Sequence, residues 1–555
     1  MDKQGFLPLH LQALSKTDPA LGSRLSRANP CVGRYQFLHS RSGEPIPALA
    51  DPQGTVRPLH SLVDPVREGS RLISTVQEEG FLVFFGLGGG FAVTAALERE
   101  DIQQILVIDY GIDDLAALFA SKSYLPLLQD PRLHIMADPS PAQVEAYILD
   151  QYQPVLYRGI RVIPLRPRID GEPTPFSAAT AAITSALTRV AGDYSVQAHL
   201  GARWFSNILR NLPVAEALEG PLPAITQAAI SAAGPSLDLQ LPLLAKRRNE
   251  RFLIATDTSL PALLQAGLEP DAVISIDCQH ISYYHFMQGL PRRIPLYLDL
   301  ASPPVVASRT VDPRFFSSGH PLVQYVSQYW RPLPPVDTSG GNVTYAALSL
   351  AELLGAEEVE LYGADFSYPL GRGYARGTYI HSLFDAQQTR FSPLEALWSA
   401  FLFRNPALKR IQQEHSWYYE TPILSRYRQG LEAKTASLRP RVIPVQGIGA
   451  PLTLRKKRKP IPPRRFFTPV PPKVSAREFI AAYREHIRRL PPLQGTVQGY
   501  LQGLTPGERR ILSTLLPLAA AIQRRQPSLG AAELIETLRT NALHALEKRP
   551  GNADT

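Results

Sequence analysis

The chain has 555 residues, 44% hydrophobic and 19% charged, enough apolar material for about three to four domains, so disorder cannot be its main state. Thirty-seven glycines without a period and only two cysteines, Cys31 and Cys278, exclude a collagen-like repeat and a disulfide-stapled scaffold. Lys plus Arg outnumber Asp plus Glu by 58 to 49, a net charge of +9 that suits an acidic partner without choosing its kind.

The first stretch, MDKQGFLPLHLQAL, has neither a long apolar segment nor a small-residue cleavage pattern. No run approaches the eighteen or so apolar residues that a membrane span needs, and a cytoplasmic enzyme without a transmembrane segment is expected. Residues 1–54 read as an N-terminal extension. Phe81 to Phe85 is an apolar run with strand propensity, followed by Gly86-Leu87-Gly88-Gly89-Gly90 and an Ala-rich helix. Gln104 to Asp109 is the next strand, and a Rossmann-like N-terminal domain is expected over 55–215. The glycine run with Asp109 resembles a dinucleotide or methyl-donor loop, but Phe91 stands where that fingerprint wants glycine.

A second α/β domain is expected over 216–430. Its strands are read at 229–233, 251–257, 272–277, 295–300 and 359–363, separated by helices. Residues 431–475, with seven Lys or Arg between Arg455 and Arg465, read as a basic, proline-rich linker. Helical periodicity returns over 476–555, predicting a small C-terminal helical domain. The fold class is α/β: two Rossmann-like domains and a helical tail.

In such a sheet, ligands bind beyond the carboxyl ends of the strands where strand order reverses. Four segments should deliver residues there: Gly234-Pro235-Ser236-Leu237, Asp257-Thr258-Ser259, Asp277-Cys278-Gln279 and Gly363-Ala364-Asp365. Gly234 permits a tight turn, and a helix beginning beyond Ser236 would offer backbone N–H groups to an anion. Ser236 either caps that helix or binds a phosphate oxygen. Gly340-Gly341-Asn342 forms a second loop of this kind. Neither loop has Walker spacing, which disfavours simple ATP hydrolysis. The strand-end acids Asp257, Asp277 and Asp365 suit ribose binding, Mg²⁺ coordination or general-base work, or they cap the following turns. His280, His285 and His381 are acid–base candidates, Tyr283 and Tyr284 stacking candidates, and Arg372 and Arg376 lie on a glycine-rich segment suited to closing over a phosphate. No His or Cys spacing indicates a metal site.

Ile230-x-x-x-Gly234-Pro235-Ser236-Leu237, Ile254-Ala255-Thr256-Asp257-Thr258-Ser259 and Gly267-x-x-Pro270-Asp271-x-x-x-Ser275-Ile276-Asp277 resemble the central domain of the motility accessory factors. So do His60 to Glu68, Arg203-Trp204-Phe205-x-Asn207-Ile208-Leu209-x-Asn211-Leu212, Gly340 to Val343 and Leu361 to Tyr368, so that the resemblance covers about residues 55–430. Those proteins are flagellin glycosyltransferases related in fold to sialyltransferases. The resemblance implies transfer of a pseudaminic- or legionaminic-type nonulosonic acid from its CMP conjugate to Ser or Thr of flagellin, serving flagellar assembly and motility. It implies Asp277, Asp365 and His381 as catalytic groups, with Asp277 leading. Gly234, Pro235, Ser236, Leu237, Asp257, Thr258, Gly341, Asn342 and Gly363 would form the donor site, with no obligatory cofactor. Flagellin, with or without its chaperone, would be the partner.

The same segment is similar to archaeal 6-hydroxymethylpterin pyrophosphokinase, which would use Mg²⁺ and ATP. Here Asp257 precedes Thr258-Ser259 where those enzymes favour Asp-Gly, and Cys278-Gln279 replaces a further acidic run. A non-catalytic assembly factor is the remaining alternative. Without a helix-turn-helix, an aromatic RNA platform or zinc-finger spacing, nucleic acid is not the expected partner. The oligomeric state is left open.

Overall fold

The computed structural model describes residues 5–32, 34–50, 55–217, 220–413, 416–454 and 467–547. The basic run Arg455 to Arg465 therefore lies outside the described residues. The chain divides into two compact units, one of residues 1–201 and 489–542, the other of 202–488 and 543–555.

The first unit is built on four parallel strands in the order Leu133–Ala137, Gln104–Asp109, Phe81–Phe85 and Ile160–Pro164. Phe81–Phe85 and Gln104–Asp109 are buried along their whole length, as continuous apolar strands covered on both faces must be. The expected extension is not separate from this domain. Leu7, Leu14, Leu21 and Leu25, on the helices Leu7–Thr17 and Pro19–Leu25, enter the same core as Phe84, Val107 and Phe119. The unit also contains the helices Val497–Gly503 and Pro506–Arg525, so the helical C-terminal segment is not one body. Its helix Ala476–Arg488 belongs to the second unit.

The second unit holds seven parallel strands. From one edge they are Pro313–Phe316, Leu296–Asp299, Ala272–Ser275, Phe252–Thr256, Gln227–Ser231, Glu358–Tyr362 and Arg441–Pro444. Chain order runs outward from Gln227–Ser231 in one direction, then restarts on its other side with Glu358–Tyr362. The switch point therefore lies between these two strands. The helix Val343–Leu354 is buried against one face, its Ala346, Ala347, Leu350 and Ala351 packing with Ile230, Ile254 and Ile274. Arg441–Pro444 falls in the stretch expected as linker, yet it pairs with Glu358–Tyr362 as the outermost strand. Proline is tolerated there because an edge strand leaves half its backbone groups unpaired.

Candidate active site at the switch point

A cleft of about 230 Å³ opens beyond the carboxyl ends of Gln227–Ser231 and Glu358–Tyr362. Gly234, Thr258, Asn342, Gly363 and Asp365 all line it, so residues far apart in sequence converge as the strand-end argument requires. Gly363 has φ +63°, and a Cβ there would meet the Ala232 carbonyl oxygen, which accounts for glycine at this turn. Gln240 ties the turn down by accepting the Gly363 N–H (2.7 Å) and donating to the Val445 and Gln446 carbonyls (3.1 and 2.9 Å).

The loop Gly234 to Leu237 differs from its expected role as an anion cradle. An anion already sits there: the Asp365 carboxylate. It accepts the Ser236 N–H (2.7 Å) and the Ser236 hydroxyl, while Ser236 Oγ accepts the Ile448 N–H (2.8 Å). The Leu237 and Asp238 N–H groups donate to Gly234 and Pro235 carbonyls, and Leu237 is fully buried. Burial pushes the Asp365 carboxyl above its ordinary range, against the Ser236 hydrogen bonds and the Arg372 charge. Ser236, Leu237 and Asp365 thus make a sealed turn, and Asp365 has both oxygens engaged, unlike a general base awaiting a substrate proton.

Free donors lie instead at the second glycine loop. Asn342 caps the helix Val343–Leu354, its side-chain oxygen accepting the Tyr345 N–H (3.0 Å). Val343 and Thr344 line the cleft, and their N–H groups have no partner among the described residues. Gly341 has φ +69° and lies against Tyr427. This helix end is the cleft's anion-accepting wall.

Asp257 is buried and held from both sides. One oxygen accepts the Thr258 N–H and hydroxyl (2.7 and 3.0 Å), the other the Ser275 hydroxyl (2.6 Å). Asp277 stands two residues beyond Ala272–Ser275, outside the cleft wall and half-buried, with the Gln279 N–H (2.8 Å) on one oxygen. Burial raises its pKa, as does the charge of Asp257. The Gln279 hydrogen bond and the charges of His285 and Arg203 pull it back. Arg203 is exposed and has no hydrogen bond or ion pair among the described residues. Cys278 is buried, its thiol pushed up to about 12 by burial, so it is not a nucleophile at neutral pH.

His381 lies on the helix Tyr379–Gln387, 6.3 Å from the Trp398 ring between centroids, and burial lowers its pKa. It is not part of the cleft wall, and no hydrogen bond joins it to Asp277 or Asp365 among the described residues. The segment 369–379 is a fitted strap. Ala375 is buried and bonded to the Ala233 carbonyl (2.9 Å), while Asp238 receives the Arg376 N–H (2.9 Å) and faces Arg372. Tyr284 stacks on Tyr379 at 4.9 Å and Tyr283 on His280 at 5.4 Å, so both tyrosines already have ring partners.

Two features escaped the sequence reading. Asn207 and Asn211, one helical turn apart, clamp the strand-end loops. Asn207 donates to the Cys278 and Ala301 carbonyls (3.0 and 2.9 Å), Asn211 to those of Leu300 and Ser302 (2.9 and 2.8 Å). Two buried amides at i, i+4 on an otherwise apolar helix face were the available signal. Asp299 is a further strand-end acid, legible in Tyr297-Leu298-Asp299, and burial pushes it to about 6. A carboxyl raised on folding keeps its proton in the native state after the unfolded chain has lost it. Its effect is that stability falls as pH climbs from about 4 to about 6 and then levels, by roughly 3 kcal/mol. Asp299→Asn keeps an acceptor for the Ala301 N–H (2.9 Å). It should melt at the wild-type temperature near pH 4 and above it at pH 7.5; parallel melting curves across that range would exclude Asp299 as the source.

Residues 203–371 match the family described as 6-hydroxymethylpterin diphosphokinase MptE-like. Two uncharacterised proteins of Treponema pallidum (strain Nichols) align with this chain over 160 residues each, 28% of its length. One is 34% identical over 56% of its own length, the other 32% identical over 76%. The chain contains an MptE-like domain. It spans little more than half the length of the first of these relatives. The MptE-like match begins at Arg203 and ends just past the Asp365 turn, so it contains the four strand-end segments and the Gly340 loop. The whole chain also shares its fold with the structure of a MAf glycosyltransferase from Magnetospirillum magneticum AMB-1. The TM-score is 0.57 at 15% identity, covering 98% of this chain and 95% of that one. No helix among the described residues is long and apolar enough to cross a membrane.

Proposed function

We propose that this chain is a glycosyltransferase that moves a nonulosonic acid from its CMP conjugate to a Ser or Thr hydroxyl of flagellin. The observation that carries the reading is the switch-point cleft. It presents an unsatisfied helix end at Val343 and Thr344, and Asp277, with a raised pKa, follows a strand of the same sheet outside the cleft wall. The fold shared with a MAf glycosyltransferase supports the reaction class. In the reaction, the bond from the anomeric carbon to the phosphate oxygen breaks and CMP leaves with the electron pair. The N–H groups of Val343 and Thr344 stabilise the departing phosphate. The acceptor hydroxyl attacks the opposite face, Asp277 takes its proton, and the anomeric centre inverts. The free Arg203 guanidinium beside Asp277 suits the carboxylate that distinguishes a nonulosonic acid from neutral sugars.

The MptE-like description favours one alternative, pyrophosphoryl transfer from ATP with Mg²⁺ to a pterin. Thermal shift with CMP, UDP, ATP–Mg²⁺ and 6-hydroxymethylpterin separates the two. CMP alone should stabilise the chain, by about 2.7 kcal/mol at a hundredfold excess over Kd. Selective stabilisation by ATP–Mg²⁺ or the pterin would replace the glycosyltransferase reading with the kinase one.

A further inference from the structure

The first unit has its own switch point. Its strand order reverses between Phe81–Phe85 and Ile160–Pro164, and beyond their carboxyl ends lies a cavity of about 610 Å³. That volume is in the range of pockets for small organic ligands, roughly 300–1,000 Å³. The position is where an open α/β sheet binds them.

The glycine loop beside the cavity has most of its donors already taken. The Leu87 N–H is taken by Asp109 (2.9 Å), the Gly89 N–H by His60 Nε2 (2.8 Å) and the Gly90 N–H by the Leu87 carbonyl (3.0 Å). Asp109, the expected ribose-binding acid, gives its other oxygen to the Tyr110 N–H (2.9 Å) and the Arg168 guanidinium (3.0 Å). It is 3% exposed, so the dinucleotide and methyl-donor readings lose their acid.

What the cavity offers is apolar wall and, among the described residues, one free cation. Leu59, Phe84, Leu87, Val93 and Ile163 are buried along it, and Leu72 stands half-exposed among its lining residues. Glu68 is engaged, accepting the Ser61 N–H (2.9 Å) and facing His60 at 3.6 Å. Arg166 also lines the cavity, is exposed, and has no hydrogen bond or ion pair among the described residues. We propose that this cavity is a second ligand site, taking a small amphipathic organic acid with its apolar body between the walls and its anionic group on Arg166.

Isothermal titration of the full chain with decanoate and with decyl phosphate tests this. At least one should bind with one-to-one stoichiometry, and the tighter of the two identifies the headgroup as carboxylate or phosphate monoester. Arg166→Gln should weaken binding at least tenfold, whereas Arg67→Gln, outside the lining, should leave it unchanged. Leu72→Trp, at the half-exposed position, should block entry. Saturating CMP should leave the affinity as it was. No binding by folded wild-type chain at millimolar ligand, equal binding by Arg166→Gln, or displacement by CMP would each overturn the assignment. If the tryptophan variant fails to fold, the Arg166→Gln result decides alone.

Discussion

Asp277→Asn should lower sugar transfer by about 10²–10⁴-fold while the chain melts no earlier than the wild type, since the asparagine carries no charge for burial to penalise. The variant is suited to separating chemistry from folding. Asp277 is half-buried, and its one hydrogen bond, from the Gln279 N–H, survives because the asparagine side-chain oxygen accepts as well. What disappears is a group able to take a proton. The pH dependence gives a second readout. Burial holds the Asp277 carboxyl above the ordinary carboxylate pKa, and only its ionised form can accept the acceptor's proton. Transfer should therefore climb with pH through an inflection above that ordinary value and flatten once the group is fully ionised. Arg203→Gln removes one of the charges that holds this pKa down, so the inflection should move to higher pH. Wild-type transfer by the asparagine variant would take the proton acceptor away from Asp277. An acid limb unaltered in Arg203→Gln would show that the limb belongs to another group.

The contrast between the strand-end acids shows what a sequence can and cannot carry. That Asp257, Asp277 and Asp365 would stand beyond the carboxyl edge of one sheet followed from short apolar runs, each ending in an acid, and the strands lie where that pattern put them. What each carboxylate does there depends on partners that the pattern does not encode. Asp365 is claimed by Ser236, 129 residues earlier in the chain, and Asp257 by Ser275 on the neighbouring strand. Asp277 alone of the three retains an oxygen without a partner among the described residues. The glycine loops repeat the lesson. Gly86 to Gly90 and Gly234 to Leu237 have the composition of anion-binding turns, yet Asp109, His60 and backbone carbonyls take donors of the first and Asp365 takes the Ser236 N–H of the second, whereas just after Gly340 to Asn342 the N–H groups of Val343 and Thr344 stay open among the described residues. The edge strand Arg441–Pro444 was hidden for a related reason. Three residues between Pro440 and Pro444 have no periodicity of their own, and their pairing is fixed by the strand beside them.

Asp365→Ala should destabilise the second unit by about 3 kcal/mol or more, and should do so whether or not a substrate is present. The carboxylate sits at the amino end of the helix Ser236–Lys246, where the helix dipole favours a negative charge. Removing it leaves the Ser236 N–H and hydroxyl buried with no acceptor, since Ser236 is 1% exposed and water cannot replace the lost oxygen without opening the turn. Asp365→Asn should cost less but still destabilise, because one of the two donors would then face an NH₂ group. Gly234→Ala should reproduce the loss from the other side. A Cβ at Gly234 would fall inside contact distance of the Asp365 carboxylate and 2.5 Å from the Gly363 carbonyl oxygen, a backbone atom that cannot swing away. All three variants are expected to melt early and to bind CMP weakly, in proportion to the opening of the turn, because Gly234 and Gly363 form the wall of the cleft. A catalytic Asp365 would behave otherwise: Asp365→Ala would fold and bind CMP like the wild type and fail only in turnover. The melting temperature of that one variant, read beside its CMP affinity, therefore decides whether Asp365 builds the site or works in it.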